Sequence, residues 1–160
     1  MDELSAVGER VAARLVERRW TVAVCESSTG GLISSTLLSL PGASRYFLGG
    51  AVVYTAAARS GLLGITPEDM TGLRPASEPY AQLLARTARR LMQADWALSE
   101  TGATGPTGNR YGDAAGHSCM AVAGAAAEVM TLETGSNDRF ANMQVFAATA
   151  LTLLLRNLER

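Results

Sequence analysis

Residues 20–33 read Trp20-Thr21-Val22-Ala23-Val24-Cys25-Glu26-Ser27-Ser28-Thr29-Gly30-Gly31-Leu32-Ile33. Trp20 through Cys25 is short and rich in β-branched residues, the composition of a buried strand. Glu26 to Gly31 is polar, carries three hydroxyls and ends in two glycines. From Leu32 to Leu40 the chain turns apolar, which predicts a helix. Strand, hydroxyl-and-glycine turn, helix is the order in which α/β domains place ligands, at the carboxyl end of a strand.

The flanking sequence repeats that alternation. Between about Ser5 and Arg19, Val7, Val11 and Leu15 recur every four residues with charges between them, an amphipathic helix. Tyr46 to Tyr54 (Y-F-L-G-G-A-V-V-Y) predicts a second strand, and Thr55 to Leu63 a short helix. Thr66-Pro67-Glu68-Asp69 has the form of a helix opening. Ser77 caps a longer predicted helix through about Gln93. Trp96 to Ser99 predicts a third strand, followed by a loop from Thr101 through Gly108 to about Gly116. Ser118–Ala123 and Glu128–Glu133 predict a hairpin, and Asp138–Leu158 a strongly apolar final helix. This pattern predicts a three-layer α/β/α sandwich with a mixed sheet, as one domain over residues 1–160.

Composition narrows the function. The 160 residues are 48% hydrophobic and 18% charged, with a net charge of −1. So small a charge gives no electrostatic reason to expect nucleic acid or an anionic membrane as partner. All 14 basic residues are arginine. Schiff-base chemistry and a neutral-lysine base are therefore impossible, because a guanidinium stays protonated. Two cysteines, Cys25 and Cys119, make no disulfide framework, and neither a metal site nor a cofactor is expected. The acidic start Met1-Asp2-Glu3 and the absence of an apolar run of membrane-spanning length lead to the expectation of a cytoplasmic protein. The apolar last helix (Val145, Phe146, Leu151, Leu153, Leu154, Leu155) leads to the expectation of a homo-oligomer, most simply a dimer; burial within its own fold is the plainer alternative.

Two segments can carry chemistry. Ser27, Ser28 and Thr29 supply hydroxyls, and Gly30 and Gly31 precede a helix N-terminus whose free amides attract anions. The plainer reading is an ordinary helix cap. The second segment, with Thr101, Gly102, Thr104 and Gly105, also follows a strand and offers glycine and threonine donors. If both strands end on the same edge of the sheet, the two loops face one pocket.

Together these residues resemble the CinA C-terminal domain family. Glu26 to Ile33 is similar to its E-S-C-T-G-G-L-I signature. Pro41-Gly42-Ala43-Ser44, Gly49 to Tyr54, Leu62-Leu63-Gly64 and Ser99 to Pro106 follow its later motifs, and Asp138-Arg139 its G-D-R before the last helix. The resemblance implies hydrolysis of the amide of nicotinamide mononucleotide to nicotinate mononucleotide and ammonia. It implies Ser27 as nucleophile, assisted by a lysine, with Tyr54 close by, and a small-molecule nucleotide or amide as the partner. Ser28, Thr29, Gly30, Gly31, Thr101, Gly102, Thr104, Gly105 and Arg139 are then the expected substrate-binding residues. Arg59 stands where the family has its lysine, Ser28 where it has cysteine, Thr104 where it has alanine, and Met143 where it has a second arginine. Two functions follow. One is an amidohydrolase in which Glu26, another carboxylate or water replaces the lysine. The other is a nucleotide-binding relative that has lost catalysis.

Overall fold

The computed structural model describes residues 1–160. A five-stranded mixed sheet lies between two layers of helices. Its strands are β1 (Val22–Glu26), β2 (Phe47–Val52), β3 (Trp96–Ala103), β4 (His117–Ala123) and β5 (Ala127–Glu133), in the order β2-β1-β3-β4-β5. β1 pairs in parallel with β2 and β3, while β3, β4 and β5 are antiparallel. The helices are α1 (Glu3–Arg18), α2 (Leu32–Leu38), α3 (Ala56–Leu63), α4 (Glu78–Met92) and α5 (Arg139–Leu158). α1, α2 and α5 cover one face, and α4 with α3 covers the other. No helix is long and apolar enough to cross a membrane.

Local chemistry sets the element ends. The Asp2 side chain accepts the Ser5 amide at 2.8 Å and opens α1. Val7, Val11, Ala12 and Leu15 form its buried stripe. Gly8 lets α1 approach α2: a Cβ there would lie 2.6 Å from the Thr36 methyl. The starts of β1 and β3 are tied together. Asp95 accepts both the amide (2.8 Å) and the hydroxyl (3.1 Å) of Thr21, and Trp20 meets Trp96 edge to face at 5.6 Å.

Two expectations change. Thr66 and Asp69 do cap each other (2.8 and 3.2 Å), but only turns follow. Gly72 adopts φ +76° and Arg74-Pro75 ends the segment before a helix can propagate. The Thr101–Gly108 segment is not loop from its start. β3 continues to Ala103, with Thr101, Gly102 and Ala103 opposite Cys119, Ser118 and His117. Pairing with β4 overrides the weak strand propensity of this Thr-Gly-Ala stretch. Most of the apolar residues of α5 pack within the fold. Phe146, Leu151, Leu153, Leu154 and Leu155 are buried against α1, α2 and the sheet, and of the six residues named above only Val145 is exposed.

Candidate active site

β1 and β3 run in parallel side by side, so the chain leaves both at the same edge of the sheet. Each carries a carboxylate there, Glu26 and Glu100, and both are fully buried. Glu26 turns toward the start of α2. Its Oε1 accepts the amides of Gly31 (2.9 Å) and Ile33 (3.2 Å) and the Thr29 hydroxyl (2.7 Å). Its Oε2 accepts the amide (2.9 Å) and the hydroxyl (2.8 Å) of Ser34. The N-cap residue, Gly31, has no side chain, so a glutamate from the preceding strand caps the helix instead.

Glu100 holds the other side of the turn. Its Oε2 accepts the amides of Ser27 (3.1 Å) and Thr29 (3.0 Å) and contacts the Thr29 hydroxyl (3.0 Å). Its Oε1 accepts the hydroxyls of Ser28 and Ser118. Complete burial pushes the Glu100 carboxyl above the usual range, and the bonds from Ser28, Thr29 and Ser27 pull it back only in part. Thr29 has one hydroxyl proton for two carboxylates, so it can donate to only one of them at a time.

This arrangement answers two readings of the turn. Of the amides expected to cradle an anion, those of Ser27, Thr29, Gly31, Ile33 and Ser34 are already occupied by the protein's own carboxylates. Ser28 and Thr29 are buried against Glu100, Gly31 donates to Glu26, and Gly30 donates to the Ser27 carbonyl at 3.1 Å. Glu26, considered as a replacement base, has both oxygens engaged with α2 and none turned to Ser27. Both glycines are required by the backbone, with φ +64° at Gly30 and +104° at Gly31. Met143 packs its methyl over Gly30, 3.1 Å from where a Cβ would stand.

Ser27 itself faces a cleft of about 600 Å³. Tyr54 and Arg59 line it from the β2–α3 side, Arg74 to Ala76 and Tyr80 from the approach to α4, Thr101 and Gly102 from β3, and Asn109 to Tyr111 from the following loop. Three of the lining residues are arginines and none is a carboxylate. Arg59 stacks over Tyr80 at 5.6 Å and pairs with no acid. Arg74 is held by a two-pronged bond to Asp113 (2.8 and 3.1 Å) and lies over Tyr111, which Arg110 covers as well. Arg139, at the start of α5, ties the rim together by donating to the Gly105 carbonyl and to the Tyr54 hydroxyl (3.3 Å).

The structure thus brings Ser27, Tyr54, Arg59, Thr101 and Gly102 to one cleft. Arg139 supports the rim. Thr104 and Gly105 are buried outside the cleft lining, with the Thr104 carbonyl accepting from Asn142 at 2.8 Å. Gly102 is there for space: a Cβ would lie 2.5 Å from the His117 carbonyl oxygen. Sequence reasoning missed Glu100, Arg74, Tyr80, Arg110 and Tyr111. Glu100 had a signal, a charged residue inside an otherwise strand-like run. The rest are distant in sequence from the motifs.

The cysteines offer no nucleophile. Burial, with Glu100 and Glu26 nearby, pushes the Cys25 thiol up to about 12, and burial also raises Cys119.

The site is thus a hydroxyl-bearing turn between β1 and α2 that faces a cationic cleft at the carboxyl edge of a three-layer α/β/α sheet. Residues 4–158 match the CinA C-terminal domain, and the chain belongs to that family. Relatives include CinA-like proteins of Desulforapulum autotrophicum (34% identical over 151 residues, 94% of this chain) and Chlorobaculum tepidum (37% over 156 residues, 94% of this chain). The chain spans only 36% and 37% of the length of those two proteins. Among solved structures it is similar to a competence/damage inducible protein of Agrobacterium tumefaciens (TM-score 0.91, 25% identity, 100% of this chain and 98% of that one). It is also similar to a CinA superfamily protein of Enterobacter cloacae (TM-score 0.88, 27% identity, 97% and 92%).

Proposed function

We propose that the cleft binds a phosphorylated amide of the pyridine mononucleotide class, and that hydrolysis of nicotinamide mononucleotide is absent or very slow. The observation that carries this is the composition of the cleft: Ser27, three tyrosines and three arginines, without one carboxylate. Arginines are suited to a phosphate, and tyrosine rings to a flat heterocycle.

Amide hydrolysis would require Ser27 Oγ to attack the amide carbon and lose its proton to a base. Ammonia would leave after taking up a proton, and water would then release the nicotinate carboxylate. Arg59 cannot accept that first proton. Glu26 and Glu100 are engaged with the amides and hydroxyls of the turn. Loss of a general base costs roughly 10²–10⁴ in rate. The test is single-turnover ammonia release from nicotinamide mononucleotide, alongside calorimetric binding of the same compound. Binding with little release by the wild type, faster release by Arg59→Lys, and loss of that gain in Arg59→Lys/Ser27→Ala are expected. Fast wild-type release that disappears in Ser27→Ala would refute the disabled chemistry. Absence of binding would refute the ligand.

A further inference from the structure

His117 is the only histidine of the chain and opens β4, with its side chain 7% exposed. Its Nε2 lies 2.7 Å from the Ala76 carbonyl oxygen and its Nδ1 2.5 Å from Glu133 Oε1. The Ala76 carbonyl oxygen can only accept, so Nε2 donates to it; opposite a Glu133 carboxylate Nδ1 donates as well, which is the arrangement of an imidazolium. Asp113 Oδ2 stands 3.6 Å from Nε2, and the same carboxylate holds Arg74 and accepts from Asn109 at 2.8 Å.

His117 is therefore wedged behind two segments that wall the cleft, Arg74–Ala76 and Asn109–Tyr111. Ala76 needs such support. It is a non-glycine residue at φ +56°, and its amide donates to Thr101 Oγ1 at 3.1 Å while its carbonyl takes the His117 bond.

We propose that His117 is a positioning residue for the Ser27 cleft: as a buried imidazolium it braces Ala76 and Asp113 against Glu133, and on losing its proton it can keep only one of its two donated bonds and no longer attracts Asp113, so that wall loosens and ligand affinity falls as the solution becomes alkaline. The choice of ligand rests on the function proposed above; the clamp does not.

The groups facing the ring come from every element around it. The loop supplies Asp113 and, through it, Arg74. β5 supplies Glu133, and β4 supplies Cys119, whose Sγ is 3.7 Å from Nε2. α4 supplies Glu78, which accepts from Thr131 beside Cys119. Three acids face one other cation. Burial works against the charged ring, but the bonds to Glu133 and Ala76 and the charge of Asp113 outweigh it and raise His117 above its usual 6.5. A raised native value means that the stabilisation is complete below the unfolded value and is lost as pH rises through the native one.

The experiment is an NMR titration of the ¹⁵N-labelled chain from about pH 5.5 to 9, wide enough to span the histidine range. With one histidine the ring signals are unambiguous. Both ring nitrogens are expected to show imidazolium shifts at pH 7, with a midpoint above 6.5. The amides of Ala76 and Asp113 should move with the same midpoint. The protection factor of the Ala76 amide, which corrects for the intrinsic rise of exchange with pH, should fall by about tenfold above it as its bond to Thr101 Oγ1 loosens with the wall. Nicotinamide mononucleotide should bind the wild type about tenfold more weakly above the midpoint, and His117→Gln weakly and independently of pH. A neutral ring at pH 6.5, or a ring that titrates while residues 74–76 and 109–113 stay still, overturns the clamp. Should His117→Gln not fold, the wild-type titration decides alone. Failure of the nucleotide to bind at any pH refutes the proposed ligand and leaves the clamp to the ring and amide signals.

Discussion

Glu100 Oε2 accepts the backbone N–H of Ser27 at 3.1 Å, so a carboxyl from the middle strand holds in place the residue that faces the cleft. The contact is possible because β1 and β3 are parallel neighbours, with Cys25 opposite Ser99. It makes the Ser27 turn a braced structure whose rigidity comes from buried acids rather than from the glycines.

Glu100→Gln should fold. One amide oxygen can keep accepting from Ser27 and Thr29, while the amide nitrogen donates to the hydroxyls of Ser28 and Ser118. Glu100→Ala leaves both amides unpaired and should cost about 2–5 kcal/mol in urea unfolding. Because burial raises Glu100 in the native state, native protein holds its proton above pH 4.5 more tightly than unfolded chain does. Wild-type stability from this group therefore falls as pH rises from 4.5 toward the raised value, and Glu100→Gln removes that slope. An unchanged slope would contradict the assignment.

Glu26→Gln should behave differently. Both oxygens of Glu26 face donors only, including backbone amides on either side. Wherever the amide nitrogen points, it meets an N–H. A loss of about 2–4 kcal/mol is expected, with faster hydrogen exchange at Gly31, Ile33 and Ser34. A fully stable Glu26→Gln would show that α2 does not depend on this cap.

The buried thiols should be inert. With Cys25 near 12, thiolate is scarce at pH 8, and iodoacetamide should label the native chain at least about 10²-fold more slowly than the urea-unfolded chain. Rapid native labelling at Cys25, read by mass spectrometry, would mean that β1 opens far more readily than its burial implies.

Gly102→Ala should separate β3 from β4 beside the cleft. The new methyl would stand 2.5 Å from the His117 carbonyl oxygen and 2.9 Å from Ser118 Cα, both backbone atoms that cannot swing away. A destabilisation of about 1–3 kcal/mol is expected from thermal unfolding, together with shifted amide signals at His117 and Ser118. Wild-type stability in this variant would show that the strands can part without penalty.

What residue pattern determined was the run of elements. Val7, Val11 and Leu15 repeat at helical spacing, Val22 to Cys25 form a short apolar block, and Ser77 caps the helix that follows it. These are local signals, set by side-chain periodicity and by the first turn's unpaired amides, and they survive without knowledge of the fold. The glycine-rich turn was legible as a special place, with Ser27 at its start. What occupies its amides was not. Glu26 reaches residues up to eight positions away, and Glu100 arrives from 73 residues further along the chain. Only the parallel register of β1 and β3 brings the second carboxyl there. The same holds for the cleft: Arg74 and Arg110 are scattered surface-type residues in sequence. The tertiary structure brought them into the cleft that Ser27 lines, because sheet order and loop packing decide which distant side chains share one space.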